Sequence, residues 1–372
     1  MTNELNIDVK EQEEKKQHAA KHYHDYTLDW YLSGLSKDEL KNICRNLEIK
    51  GFSSKNKEDL VTLITDAYFE NFDILKATFE TYDSNFKVAI DELTEQDDNY
   101  IVFHRDIPDE VFLFYAEGTE FLFIPKDVKA HFKAYKKEHP SFKQEIDTIH
   151  FYRSALNLYG FVSLKHLALL KEKYFNITMT EDAIRDELIA AMPEYAPLIK
   201  DGSVKHIELT PVQLDLKKLT FNKDYYIPDY ETYQLYTERF YIERTPEINA
   251  LAEYLSNALL EDFKGTDTEQ LIIDTILFGL RANETPDQIV LHIENVEVNG
   301  FMKIASYDTL RGLIADALLT ARLWTLNGHK SGEVKDLVLN TLPKRKPVQI
   351  KRKSKKRGKN KNIAHVAKLK NK

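Results

Sequence analysis

Apolar positions along the chain recur mostly every three or four residues, with one stretch, near the end of its first third, where they run together. Leu35, Leu40, Ile43 and Leu47 give the stripe of a short helix, opened by Ser36 and Glu39 at the spacing of a capping box. LEIKGF breaks that helix, with Gly51 able to take a left-handed conformation. Ser53 or Ser54 then caps a second helix, whose stripe is Leu60, Val61, Leu63, Ile64 and Ala67. Two short helices around a glycine turn bury too little to be stable without support. Three runs rich in β-formers follow, at residues 99–103, 111–115 and 120–124. The last two flank Ala116-Glu117-Gly118-Thr119 as a hairpin turn, and Pro125 and Asp127 open another helix.

Residues 144–210 read as three helices followed by a hairpin at Asp201-Gly202. One helix carries Val162, Leu164, Leu167 and Leu170; the next has a capping-box spacing from Thr178 to Glu181, then Ile184, Leu188 and Ile189. That outline fits a winged helix or an ordinary helical scaffold with a hairpin. The segment with Glu181, Asp182, Asp186 and Glu187 is acidic, which weighs against DNA contact there. Residues 226–341 are expected to be helical throughout. Thr245-Pro246-Glu247 and Thr285-Pro286-Asp287 each place a cap, a first-turn proline and an acid at a helix start. Leu271, Ile272, Ile276, Leu277 and Leu280 form one stripe, and Leu310, Leu313, Ile314 and Leu318 another; Gly328 ends the last long helix and Ser331 caps a further one.

The expected fold is therefore mainly α with a small mixed α+β middle region. Its expected parts are a polar helix over 1–26, a helical module over 27–68, a mixed α+β region over 69–225 (winged-helix-like from 144), a helical domain over 226–341 and a disordered basic tail over 342–372.

The segment 32–64, LSGLSKDELKNICRNLEIKGFSSKNKEDLVTLI, resembles the N-terminal helical module of the Rho termination factor and the related SAP motif. The shared pattern is Leu35, Glu39-Leu40, Leu47-x-Ile49, Gly51, a Ser/Lys-rich turn, then Lys57-x-x-Leu60 and Ile64. The resemblance implies that the turn and the second helix start face nucleic acid, a role for Lys37, Lys41, Arg45, Lys50, Lys55 and Lys57. Backbone N–H groups at a helix start with lysines nearby suit a phosphate, although Glu39, Glu48 and Glu58 interleave with these cations. Two further segments, NLYGFVSLKHL (157–167) and TARLWTLNGHKSGEV (320–334), resemble a family of Gram-positive bacterial proteins that also start with a Rho-N-like module. Several of those end in a cysteine-rich zinc tail of the SEC-C type. The end of this chain has no cysteine, so zinc is not carried over, and the resemblance transfers no activity.

Charge sharpens this picture. The formal net charge is −8, but 14 cations and no acid follow Pro343, so the rest carries a net of −22. The cations are Lys344, Arg345, Lys346, Lys351, Arg352, Lys353, Lys355, Lys356, Arg357, Lys359, Lys361, Lys368, Lys370 and Lys372. Such segregation points to a polyanionic partner. With about eight of these cations engaged on duplex DNA, log K would fall against log salt with a slope of roughly −7. The tail alone lacks the apolar content to fold.

Other chemistry is sparse. The single cysteine, Cys44, lies in an apolar stripe and excludes an intramolecular disulfide or a multi-cysteine zinc site. His18 and His22 share a helix face, with His24 nearby; two imidazoles at that spacing suit a divalent ion, but a solvated face is the expectation. There is no phosphate loop, nucleophile elbow or His-Glu-x-x-His helix. The tyrosines 225, 226, 230, 233 and 236 read as helix-packing residues rather than a stacking platform. No apolar run reaches ~18 residues, and the start lacks a signal-peptide pattern. The expectation is a cytoplasmic, non-enzymatic protein without cofactor that contacts RNA or DNA. The alternative is a protein–protein adaptor whose acidic helical body binds a partner and whose tail is solubilising.

Overall fold

The architecture is that of a computed structural model, which describes residues 26–70, 72–81, 83–95, 100–102, 114–115, 121–210, 224–282 and 284–333. The chain divides into two units, Met1–Lys335 and Asp336–Lys372, and every described residue lies in the first. The expectations for the polar N-terminal helix with its histidines, for the turn at 116–119 and for the basic tail fall outside the described residues. The rest is mainly helical, with two small three-stranded antiparallel sheets.

The first three helices are α1 (Leu28–Gly34), α2 (Lys37–Asn46) and α3 (Lys57–Glu70). Ser36 and Glu39 close the start of α2 reciprocally: Glu39 N–H donates to Ser36 Oγ (3.3 Å) and Ser36 N–H to Glu39 Oε2 (2.6 Å). At its other end Ile49 N–H donates to Cys44 O and Glu48 N–H to Arg45 O, the paired bonds of a Schellman motif. That motif puts Glu48 at φ +53°, one turn before the glycine the sequence suggests; Gly51 also takes positive φ, +81°. The cap of α3 is Asn56, whose Oδ1 accepts from Asp59 N–H at 2.8 Å, rather than Ser53 or Ser54. A capping oxygen must sit on the residue just before the first helical turn, and the two serines lie in the preceding turn. Leu28, Leu32, Leu40, Ile43, Cys44, Leu60, Val61 and Ile64 are all buried in the shared core.

Two short helices, α4 (Asp73–Thr81) and α5 (Ser84–Glu95), lead to β1 (Tyr100–Val102), β2 (Phe114–Tyr115) and β3 (Phe121–Phe123), in the order β1-β3-β2. Next come α6 (Lys126–Glu138) and α7 (Pro140–Tyr159). Asp127, at the start of α6, accepts from Leu28 N–H with both oxygens (3.0 and 3.1 Å). One carboxylate thus satisfies the orphan donor of α1 and anchors the small helices to the body. Lys87 of α5, only 5% exposed, is paired with Glu145 of α7.

From α7 the order is β4 (Phe161–Ser163), α8 (Leu164–Phe175), α9 (Glu181–Ala191), β5 (Ile199–Lys200) and β6 (Ser203–Lys205), with strand order β4-β6-β5. The period of Val162, Leu164, Leu167 and Leu170 suggests one helix, yet Val162 lies in β4, opposite Val204. Its partner strand arrives 40 residues later, so no local pattern announces it. Ser163 caps α8 and Thr180 caps α9; Thr178 lies outside the cap. Asp201 and Gly202 both have positive φ (50° and 69°), the backbone of a tight hairpin turn.

A short helix, α10 (Tyr230–Leu235), packs on α7. Four longer helices complete the body: α11 (Pro246–Ala258), α12 (Asp267–Arg281), α13 (Pro286–Val298) and α14 (Tyr307–Thr320). Thr245 and Thr285 cap α11 and α13, each with proline in the first turn. The last long helix ends at Thr320, before Gly328; Gly328 (φ +79°) instead follows Asn327 (φ +55°) in a turn. That turn returns the chain onto α7, where Gly328 faces Leu158 and Tyr159.

Both segments that carry the family resemblance meet here. Trp324 is fully buried, and its indole N–H donates to Asn157 O at 2.8 Å. Its ring fills the space above Gly160, where no Cβ fits. Asn157 donates to Tyr236 O (2.8 Å), and its side-chain oxygen meets His206 Nε2 at 3.2 Å. Burial, reinforced by Arg281 and Arg239, pushes His206 down to about 3. Arg281, 1% exposed, donates to the carbonyls of Tyr241 and Arg239. Apart from Arg281 Nε, which has no hydrogen-bond partner among the described residues, the side chains of Trp324, Asn157, His206 and Arg281 are hydrogen-bonded to backbone carbonyls or to each other, which fixes the register of the junction.

Candidate nucleic-acid interface

The three cations of α2 recur every four residues. Lys37 and Arg45 are exposed and Lys41 is half-buried. At 100° per residue they lie along one flank, while Leu40, Ile43 and Cys44 face the core. Among the described residues none of the three forms an ion pair within 4 Å. Asp38 and Glu39 sit at the start of the helix. The Glu39 carboxylate is committed to the cap: hydrogen bonds from Ser36, helped by the charge of Lys57, hold it below the usual carboxylate range.

The connecting turn brings a second group alongside. The Arg45 guanidinium is hydrogen-bonded to Asn42 and stands 5.7 Å from the centre of the Phe52 ring, within cation–π range. Phe52 belongs to the turn that carries Lys50 (exposed) and Lys55 (half-buried), and Lys57, exposed, opens α3. Glu58 and Asp59 occupy the same first turn as Lys57 and offset the positive end of that helix. Both helix starts thus carry two acids, and the α2 flank differs in continuing beyond its first turn with Lys41 and Arg45. Lys344, Arg345, Lys346, Lys351, Arg352, Lys353, Lys355, Lys356, Arg357 and Lys359 lie outside the described residues.

The helix α9 presents the opposite sign. Glu181, Asp182 and Asp186 are exposed. Arg185 is taken up by Asp182 (2.7 Å), and Glu187 by Lys171 of α8 (2.6 Å). A surface of this kind repels phosphate. Among the described residues there is no group of three or more His, Cys, Asp or Glu arranged to hold a metal, and no helix long and apolar enough to cross a membrane. Cys44 is buried with its thiol free, and burial pushes it up.

Sequence reasoning missed the junction of Asn157, His206, Arg281 and Trp324, whose parts are spread over 168 residues. Gly160 and Trp324 lie inside the two resemblance segments, but nothing in the sequence pairs them. Comparison with family models, with curated proteins and with solved structures finds no match.

Proposed function

We propose that the protein is a non-enzymatic, nucleic-acid-associated accessory or regulatory protein. Its small helical module and its basic C-terminal segment contact RNA or DNA phosphates. The observation that supports this best is the flank of Lys37, Lys41 and Arg45, which is accessible and unengaged by acids among the described residues. Such contacts position a protein on a nucleic acid without reading its sequence. The body carries a net of −22 without the tail, so the contact is local and favoured by a Debye length of only ~8 Å at physiological salt.

We read residues 140–205 as winged-helix-like, because a helix, a strand, two helices and two strands follow in order, with the first strand beside the last. Its third helix, α9, is acidic, so we assign nucleic-acid contact to the module and tail instead. That acidic face favours the second reading, an adaptor whose body binds a protein partner.

A fluorescence-anisotropy titration of 30-nucleotide RNA, single-stranded DNA and duplex DNA tests the first reading. Replacing Lys37, Lys41 and Arg45 together by Gln should weaken binding about tenfold or more at low salt, since every phosphate deprived of its cation lowers affinity. Unchanged affinity in that variant, or no binding by the unaltered chain, would remove the module from the account.

A further inference from the structure

Helix α6 carries a line of cations on its outer side. Val128, Phe132 and Tyr135 are buried on its inner side. At 100° per residue, Lys133 and Lys137 fall within about 20° of Lys126, opposite those three, and all three lysines are exposed. The line is about 16 Å long, with exposed Ala130 between the lysines. It holds no acid, in a body whose net charge without the tail is −22. Lys133 and Lys137 form no ion pair within 4 Å among the described residues. Three acids must be weighed against this. Glu95 of α5 is paired with Lys136, whose hydrogen bond and charge, joined by the charges of Lys133 and Lys143, hold it below the usual carboxylate range. Asp127 accepts from Leu28 N–H. Glu138 is exposed but lies about 120° round the helix from Lys126.

One end of this line meets an aromatic stack. Lys126 N–H donates to Tyr26 O at 3.0 Å. The Tyr26 ring lies flat on that of Trp30, with centres 3.8 Å apart and planes inclined by 9°, and Tyr31 meets Trp30 edge-on at 5.2 Å. Leu28 and Leu32 turn α1 toward the core, and a residue two positions from each stands on the far side. Trp30 is accordingly 48% exposed. The Asp127 carboxylate on Leu28 N–H and the Lys126–Tyr26 bond hold this stack at the start of α6. Exposed Asp29 adjoins Trp30 and is hydrogen-bonded by the Thr27 hydroxyl.

Single-stranded nucleic acid is held by this combination: cations follow the phosphates while unpaired bases stack on aromatic rings. A duplex keeps its bases stacked inside and would engage the lysines alone. A membrane surface would need an apolar face beside the cations, and the α6 line offers Ala130 and no larger apolar side chain. We propose that Trp30, Lys126, Lys133 and Lys137 form a second surface, for single-stranded RNA or DNA, built from none of the α2 cations. The class of ligand rests on the nucleic-acid reading above; the residues and the preference for single strands do not.

The chain has two tryptophans, and Trp324 is fully buried, so quenching of tryptophan emission by nucleic acid reports Trp30. The full chain is titrated with 30-nucleotide oligo-uridine, oligo-thymidine and duplex DNA at about 0.15 M salt, following emission and the anisotropy of a dye on the oligonucleotide. The single strands should quench the emission saturably, and the duplex should not. Lys133→Gln combined with Lys137→Gln should weaken single-strand binding about fivefold. Trp30→Leu should weaken it about fivefold or more, and Trp30→Phe, which keeps a ring, by less than about twofold. Lys200→Gln combined with Lys303→Gln removes the same charge from exposed positions elsewhere and should change affinity by less than about twofold. Circular dichroism melts show that each variant is folded. Binding without quenching, equal quenching by the duplex, unchanged affinity in Trp30→Leu, or equal weakening in the two double variants would overturn the proposal and leave the module and tail reading standing. No binding of any nucleic acid would remove both, and emission that responds to phosphatidylserine vesicles but not to nucleic acid would assign the surface to a membrane instead.

Discussion

Gly160 has φ +66°, and a Cβ there would stand 2.3–2.8 Å from three ring atoms of Trp324. Gly160→Ala therefore combines a left-handed backbone with a collision in a packed core, and should cost about 3 kcal/mol or more; urea unfolding measures it. His206 gives a pH signature at the same junction. Its folded-state value of about 3 lies below the ordinary 6.5, so above pH 6.5 it is neutral folded or unfolded and adds no pH dependence. Below pH 6.5 the unfolded chain takes up a proton that the folded one refuses. Stability then falls by up to ~1.4 kcal/mol per pH unit toward pH 3. Urea midpoints at pH 7.5, 6.5 and 5.5 should show this decline, and His206→Gln should flatten it by about one proton. Little of this was legible in advance: a glycine and a tryptophan 164 positions apart signal nothing until the fold brings them together.

At the scale of elements, the helix starts were the most readable features, because capping is local chemistry. Ser36 with Glu39, Thr245 and Thr285 all cap the helices their spacing suggests. Ser36→Ala should cost ~1 kcal/mol, read as a lower melting temperature. Helix ends and short strands were harder. Glu48 takes the left-handed position that closes α2, where the sequence pointed to Gly51. Glu48→Gly should consequently stabilise the protein by roughly 0.5–1 kcal/mol, relief of the left-handed cost exceeding the extra chain entropy. A destabilised variant in thermal unfolding would contradict that. The strand β4 was unreadable because pairing with β6, not its own three residues, makes it a strand. The expected end of α14 at Gly328 failed for a similar reason: Asn327 bonds to the segment before α10, accepting from Tyr226 N–H at 3.0 Å, and that contact sets the path.

Across the whole molecule, the mainly helical class followed from periodicity alone, and the continuity of the body did not. One apolar cluster runs from Leu28 to Tyr236, across the boundaries that composition suggested at 68 and 225. Of the proposed nucleic-acid surface, the six module cations could be located from sequence, but their environment required the fold: α2 carries a flank without an ion pair among the described residues, extending past its acidic first turn, whereas Lys57 sits beside Glu58 and Asp59. The segregation of 14 cations after Pro343 from an otherwise acidic chain makes the central claim electrostatic, and electrostatic binding has a quantitative signature in salt.

The most direct measurement is the slope of log K against log salt for duplex DNA, comparing the full chain with one ending at residue 342. The account predicts a slope near −7 for the full chain, for about eight phosphates neutralised, and a much shallower slope with weaker binding after truncation. Equal slopes for the two chains, or no binding by the full chain at low salt, would contradict it.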